Sequence, residues 1–285
     1  SFFGVSLRIS NARLGFPPPK SMRKLGFSVP ENFFVPIAAQ ARARYADRGR
    51  TNRVPGPTVC VCDFKGRFPA AKGGGDTSLL AFHHPSSGYV HEEYMCDQTV
   101  PSAVRAFSVY RDVMRVKFSI TIDFMIFDRD ASFNRAFRIA LRKLNVDSDM
   151  SGANDHWELG AIENYWDLWT SNVSAFLMHA DLDWSYWKFA SGMSNYIYNR
   201  TPTSANHGYI SPVECLTNEE PNLCHLRVPF CPSYVAQEKG SLGSLDVRAD
   251  KGIFVGYPED TRDGVWRHYF LDKKSTQCSR HAVFD

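Results

Sequence analysis

The sequence predicts an α/β protein in which a mixed sheet flanked by helices is followed by a small all-β module. Three observations point there. Strand-like runs come three in succession before residue 96, strand and helix patterns then alternate to about residue 150, and beyond residue 205 short apolar runs recur between turn residues. With 285 residues, 44% of them hydrophobic, the chain can fill one large domain or two ordinary ones. It holds no run of about 18 apolar residues, so no transmembrane helix and no membrane partner are expected.

Taken in order, residues 1–57 combine "GFPPPK", scattered arginines and little periodicity, which reads as a basic irregular arm or linker with one helix near 36–47. The run "TVCVCDFKGRFP" then opens the sheet. Turn signals and apolar alternation place strands at 58–63, at 77–83 after "KGGGD", and at 88–95 after "PSSG". Val104, Phe107, Tyr110, Val113 and Met114 recur at helical spacing over about 100–117. "ITIDFMIFD" is a buried-strand pattern, and Phe133, Phe137, Ala140, Leu141 and Leu144 make the next helix, before a short strand near 146–150. A long helix carrying Trp157, Ile162, Trp166, Trp169, Val173 and Phe176 is expected over 156–178, another over 184–198, and "NRTPTSANHG" ends the helical part. "HLRVPFCPSYV", "KGIFVGYP", "WRHYFLD" and "CSRHAVF" supply the strands of the β module. The boundaries expected are thus 1–57 for the arm, 58–205 for the α/β domain and 206–285 for the β domain.

Charge is uneven. Residues 1–57 hold ten Lys/Arg against Glu31 and Asp47, a net +8, so with +3 overall the remainder carries −5. A basic arm before a mildly acidic body suits a polyanion partner, and a solvated linker has the same composition. Seven cysteines without regular spacing read as free thiols in a reducing compartment. Cys60 and Cys62 share one face of a strand and read as small buried hydrophobes, and Cys224, His225 and Cys231 lack a fourth zinc ligand at finger spacing. His83, His84 and the tryptophans at 157, 166 and 169 read as core or partly buried surface. "SFFGVSLRIS" is no convincing signal peptide and reads as a cut inside a longer polypeptide.

Three acids stand out by position. Asp63 ends the first strand, Asp128 ends the fourth, and Glu163 sits on the long helix. Carboxylates at the ends of neighbouring strands converge at one sheet edge, where a packed helix can add a third. Such a hard-oxygen cluster suits Mg²⁺ or Mn²⁺, and two such ions can serve phosphoryl transfer. Aspartate is also common where strands stop, so spacing alone leaves surface decoration and metal ligation both open.

Ordered motifs add a resemblance. "VCDFKGRFP", "DRDASF", "LGAIEN", "WKFASGMSNYIYNRTPT", "SPVECLTNEEPNLCHLRVPFC" and "KGIFVGYPED…SRHAVFD" resemble, in the same order, the integrase region of copia-type long-terminal-repeat retrotransposon Pol polyproteins. The resemblance covers roughly residues 55–285 and is most specific near the C-terminus. It implies a ribonuclease H-like catalytic core and an SH3-like C-terminal domain. It maps a catalytic and metal-binding triad onto Asp63, Asp128 and Glu163, with Lys65 and Arg129 as nucleic-acid contacts. The implied activity is DNA strand transfer dependent on Mg²⁺ or Mn²⁺, with two ions, inserting element cDNA into target DNA. DNA ends and target, other Pol polyprotein segments and further copies of the chain are the implied partners, in the nucleus and in cytoplasmic virus-like particles.

This sequence also departs from the pattern. Arg129-Asp130 stand in place of Asn-Gly, Ser132 in place of Glu, Leu159 in place of Asn and Asn164 in place of Arg. Asp167 lies one turn from Glu163, where it repels a DNA end. Residues 1–57 contain neither His nor Cys, so the family's zinc module has no counterpart within them. The alternative reading is therefore a catalytically inactive DNA- or polyprotein-binding relic of such an integrase.

Overall fold

The computed structural model describes residues 12–14, 19–30, 33, 56–128, 133, 135–150, 156–237, 248–258 and 264–285. A short helix, α1 (Pro19–Lys24), precedes the first sheet. That sheet contains β1 (Val59–Gly66), β2 (Ser78–His84), β3 (Tyr89–Met95), β4 (Phe124–Phe127) and β5 (Asp147–Met150). Helix α2 (Val100–Phe118) follows β3, α3 (Arg135–Lys143) joins β4 to β5, and α4 (His156–Ala180) and α5 (Trp187–Tyr198) follow β5. The strand order is β3-β2-β1-β4-β5, with β1, β2 and β3 antiparallel and β4 and β5 parallel to β1. This is the ribonuclease H-like mixed sheet that the resemblance implies.

Alternation along the strands divides the core into two layers. Cys60, Cys62, Leu80, Phe82, Met125 and Phe127 face α2 and α3, where Phe107, Tyr110, Phe137 and Leu141 are fully buried. Val61, Leu79, Ala81, Val90 and Ile126 face the other way, onto Ile162, Trp166 and Trp169 of α4 and Trp187 and Met193 of α5. Every residue of β2 is buried, as expected of a strand covered on both faces. Burial also pushes the Cys60 and Cys62 thiols up, so both are inert packing groups.

The second sheet has the order β10-β6-β7-β8-β9, built from β6 (Pro232–Ala236), β7 (Ala249–Gly256), β8 (Trp266–Phe270), β9 (Ser275–Ser279) and β10 (Ala282–Phe284). Neighbouring strands in it pair antiparallel. Its core is continuous with the layer under α4 and α5: Tyr269 meets Tyr186 and Phe189, and Tyr257 stacks on Tyr196 with centroids 4.1 Å apart.

Two parts differ from expectation. "SPVECLT" forms a helix, α6 (Pro212–Thr217), started by a capping box in which Ser211 accepts from the Glu214 amide. The strand expected over "HLRVPFCPSYV" begins only at Pro232, because Phe230 takes a φ of 62°. The arm differs more. Its expected helix near 36–47 and the residues around it lie outside the described residues, but what is described before them is docked. Met22 is fully buried in the same core layer as Ala12, Leu14, Phe27 and Val29. Ser21 Oγ lies 3.2 Å from the Pro202 carbonyl, to which it donates, and 2.9 Å from the Tyr209 hydroxyl. The stretch read as linker is therefore, over its described residues, part of the packed body.

Candidate functional site

Pairing of β1 with β4 carries the acidic edge. The two strands run parallel in the register Val59–Phe124 to Cys62–Phe127. One step further along each chain stand Asp63 and Asp128, so the two acids flank each other at the same end of neighbouring strands. Neighbouring strands lie about 4.8 Å apart. Val61, Asp63 and Lys65 share the face turned to α4, and the same alternation assigns Asp128 to the face of Ile126. Beyond the pair, β1 ends at Gly66, whose φ of 132° favours glycine and whose Cα approaches Thr77 and Ser78 so closely that a Cβ there would meet the Thr77 carbonyl at 2.9 Å. That close turn fixes where the strand stops.

Asp63 is half-buried, and both its oxygens are engaged. Oδ1 accepts the Phe64 amide at 2.8 Å, and Oδ2 accepts the indole N–H of Trp166 at 2.8 Å. Trp166 lies on α4, only 5% exposed, with Tyr165 and Trp169 packed against it at centroid distances of 5.4 and 6.1 Å. Lys65 Nζ lies 5.7 Å from the centre of a Trp166 ring, a cation–π contact with the same indole that donates to Asp63. Glu163 is exposed on α4, three residues and therefore one turn before Trp166. Asp128 is exposed, and Arg129 lies outside the described residues.

The structure thus brings Asp63, Asp128 and Lys65 to one sheet edge and sets Glu163 on the helix that covers it. It does not close them into a three-ligand cage. Among the described residues no three His, Cys, Asp or Glu side chains form a group able to hold a metal ion. Two adjacent carboxylates are nonetheless a donor set that fits a hard divalent cation, since Mg²⁺ is commonly held by one or two carboxylates with water and substrate phosphate completing its shell. Sequence reasoning missed Trp166 as a partner of Asp63 and took it as core. No local signal could have found it, because the contact joins residues 103 positions apart.

A second carboxylate of the first sheet is sealed. Glu92 on β3 accepts from Ser191 Oγ and Tyr165 Oη at 2.6 Å and from Tyr94 Oη at 2.9 Å. Burial raises its pKa, and the hydroxyl donors offset this only in part.

Comparisons with known proteins find partial likenesses. Residues 231–285 match the retroviral polymerase SH3-like domain. Over 109 residues the chain is 30% identical to the retrovirus-related Pol polyprotein from transposon RE1 of Arabidopsis thaliana, a match covering 38% of this chain and 7% of that polyprotein. Among solved structures, the catalytic core domain of BIV integrase aligns with 57% of this chain and 95% of its own length, at 12% identity and a TM-score of 0.41. A chain of the simian T-cell lymphotropic virus intasome, solved in complex with the PP2A regulatory subunit B56 gamma, aligns with 83% of this chain and 84% of its own, at 10% identity and a TM-score of 0.44. The β6–β10 sheet thus falls within the stretch that matches the SH3-like domain, and the chain spans only a small part of the length of the Pol polyprotein it resembles.

Proposed function

We propose that this chain acts as an integrase in the insertion of retrotransposon cDNA into target DNA, through metal-dependent strand transfer. The observation that carries the reading is the β1–β4 register, which sets Asp63 beside Asp128 under the helix bearing Glu163. In the reaction a 3′-hydroxyl of the element end attacks a target phosphodiester in line. The new O3′–P bond forms as the target's own P–O3′ bond breaks, and the departing 3′-oxygen takes up a proton. Asp63 and Asp128 would hold the divalent cation, Mg²⁺ or Mn²⁺ and two ions in the full assembly, with Glu163 completing the set. Such a cation supplies neutralisation of the phosphate's developing charge and a lowered pKa for the attacking hydroxyl. Lys65, held at the same edge, offers its ammonium to a DNA phosphate, and Arg129 follows Asp128 in the same direction along the chain.

DNA ends, target DNA, neighbouring Pol polyprotein segments and further copies of the chain are the partners this reading requires, in the nucleus and in cytoplasmic virus-like particles. Joining of short duplex ends in Mg²⁺ or Mn²⁺, wild type against Asp63→Asn, tests it. Wild type is expected to join ends and the variant to lose at least about a hundredfold of that activity, the scale of a lost electrostatic partner in a transition state. No metal-dependent joining or nicking by wild type would sink it.

A second reading, a non-catalytic DNA- or polyprotein-binding relic, is favoured by the Trp166–Asp63 hydrogen bond and by the unclosed acid set. It predicts duplex binding without joining under any divalent cation.

A further inference from the structure

Trp166 reaches the acidic edge from α4. Its indole N–H lies in hydrogen-bond contact with Asp63 Oδ2, while Oδ1 is committed to the chain's own Phe64 amide. The ring cannot drift away easily, being buried between Tyr165 and Trp169. The ring also meets the Lys65 ammonium, a positive charge carried two residues after Asp63 on the same face of β1. Each of these features opposes a divalent cation. The N–H already draws on the charge of Oδ2, and the ammonium adds like-charge repulsion. Glu163, one turn away on the same helix, is tied to the same element as the indole, so any shift of α4 that frees Asp63 also moves Glu163.

We propose that Trp166 is a positioning residue that competes with the divalent cation for Asp63, so that the indole N–H and the metal are alternative partners of Oδ2. This rests on the reading of Asp63 as a cation ligand. It goes further in assigning a role to a residue that the integrase resemblance leaves unassigned, and in explaining why the acids do not close in this structure. In the indole-bound state Asp63 is oriented and kept from binding its cation. In the cation-bound state the indole N–H loses its acceptor and must turn to water or to an incoming phosphate oxygen.

The test is Mn²⁺ binding by calorimetry to the whole chain, wild type against Trp166→Phe, which keeps an aromatic ring and removes the N–H. The variant is expected to bind Mn²⁺ about tenfold more tightly, a gain of about 1.4 kcal/mol, and Asp63→Asn in the same background is expected to erase the gain. Equal or weaker binding by Trp166→Phe overturns the competition while leaving the cation reading intact. Absence of binding in both proteins overturns the two together. Should Trp166→Phe not fold, wild-type protein labelled with ¹⁵N-tryptophan provides the second measurement. One indole resonance is displaced by Asp63→Asn, and Mg²⁺ added to wild type is expected to move that same resonance. Mg²⁺ binding that moves a different indole, or none, contradicts the proposal.

Discussion

Two carboxylates of one sheet, Glu92 on β3 and Asp63 on β1, show how placement decides what an acid can do. Glu92 points into the layer between β3, α4 and α5 and accepts from three hydroxyls, with no open side for a ligand. Asp63 stands where β1 outruns β4, half-buried, and takes two N–H donors, one from its own backbone and one from a single side chain. The first acid is locked by several partners from three elements. The second is held in part by an indole N–H that can be exchanged, and it has an acidic neighbour. A buried carboxylate with every bond made welds elements together, whereas a half-buried carboxylate beyond the end of the neighbouring strand can exchange a donor for a ligand. The sequence placed Asp63 at the end of β1, but the strand runs three residues further, to Gly66.

The largest effect is expected from breaking the weld. Glu92→Ala strands the hydroxyls of Tyr165, Ser191 and Tyr94 and should cost about 4 kcal/mol, at about 1–3 kcal/mol for each buried group left unpaired. Chemical denaturation reads it directly, and a loss under about 1 kcal/mol would show the network to be solvated. Next comes Gly66→Ala, which combines a φ of 132° with a Cβ 2.9 Å from the Thr77 carbonyl, for about 2 kcal/mol. Because Gly66 ends the strand that carries Asp63, its loss should also weaken Mn²⁺ binding.

A smaller and more discriminating contrast is pH dependence. Glu92 has a folded pKa raised above its ordinary value, so its contribution to stability is full below about 4.5 and is lost as pH rises through the raised value. Buried His83, lowered to about 3, behaves oppositely: its contribution is present above its ordinary 6.5 and is lost as pH falls toward 3. Glu92→Gln should therefore flatten the decline on the rising side of the profile and leave the acid limb in place. The smallest stability effect belongs to Asp63→Asn, about 1 kcal/mol, since the amide keeps one acceptor oxygen and can serve only one of the Phe64 and Trp166 N–H donors. A much larger loss would mean that Asp63 is as structural as Glu92.

How legible was this in the sequence? Strong periodicity carried the fold. Alternation in "TVCVCDF", the helical spacing of Val104 to Met114, and the apolar run before Asp128 each reflect burial on a defined face, and β1, α2 and β4 lie there. Positions of Asp63 and Asp128 at one edge were legible for the same reason, since both close such runs. What was not legible depends on distant partners. Trp166 meets Asp63 across 103 residues of chain, and nothing local distinguishes it from Trp169, which is wholly core. Met22 sits among Lys20, Arg23 and Lys24, so the arm's composition hid the side chain that docks it. The cap of α6 was readable in Ser211-Pro212-Val213-Glu214, but the strand-rich motifs around it masked so short a helix.

The proposed function requires that Asp63 and Asp128 together hold a divalent cation. Thermal unfolding of wild type and Asp128→Asn across a Mg²⁺ titration tests it most directly. Mg²⁺ is expected to raise the wild-type midpoint and leave the variant's unchanged, because binding to the folded state alone stabilises it. An equal rise in both proteins, or none in wild type, would contradict it.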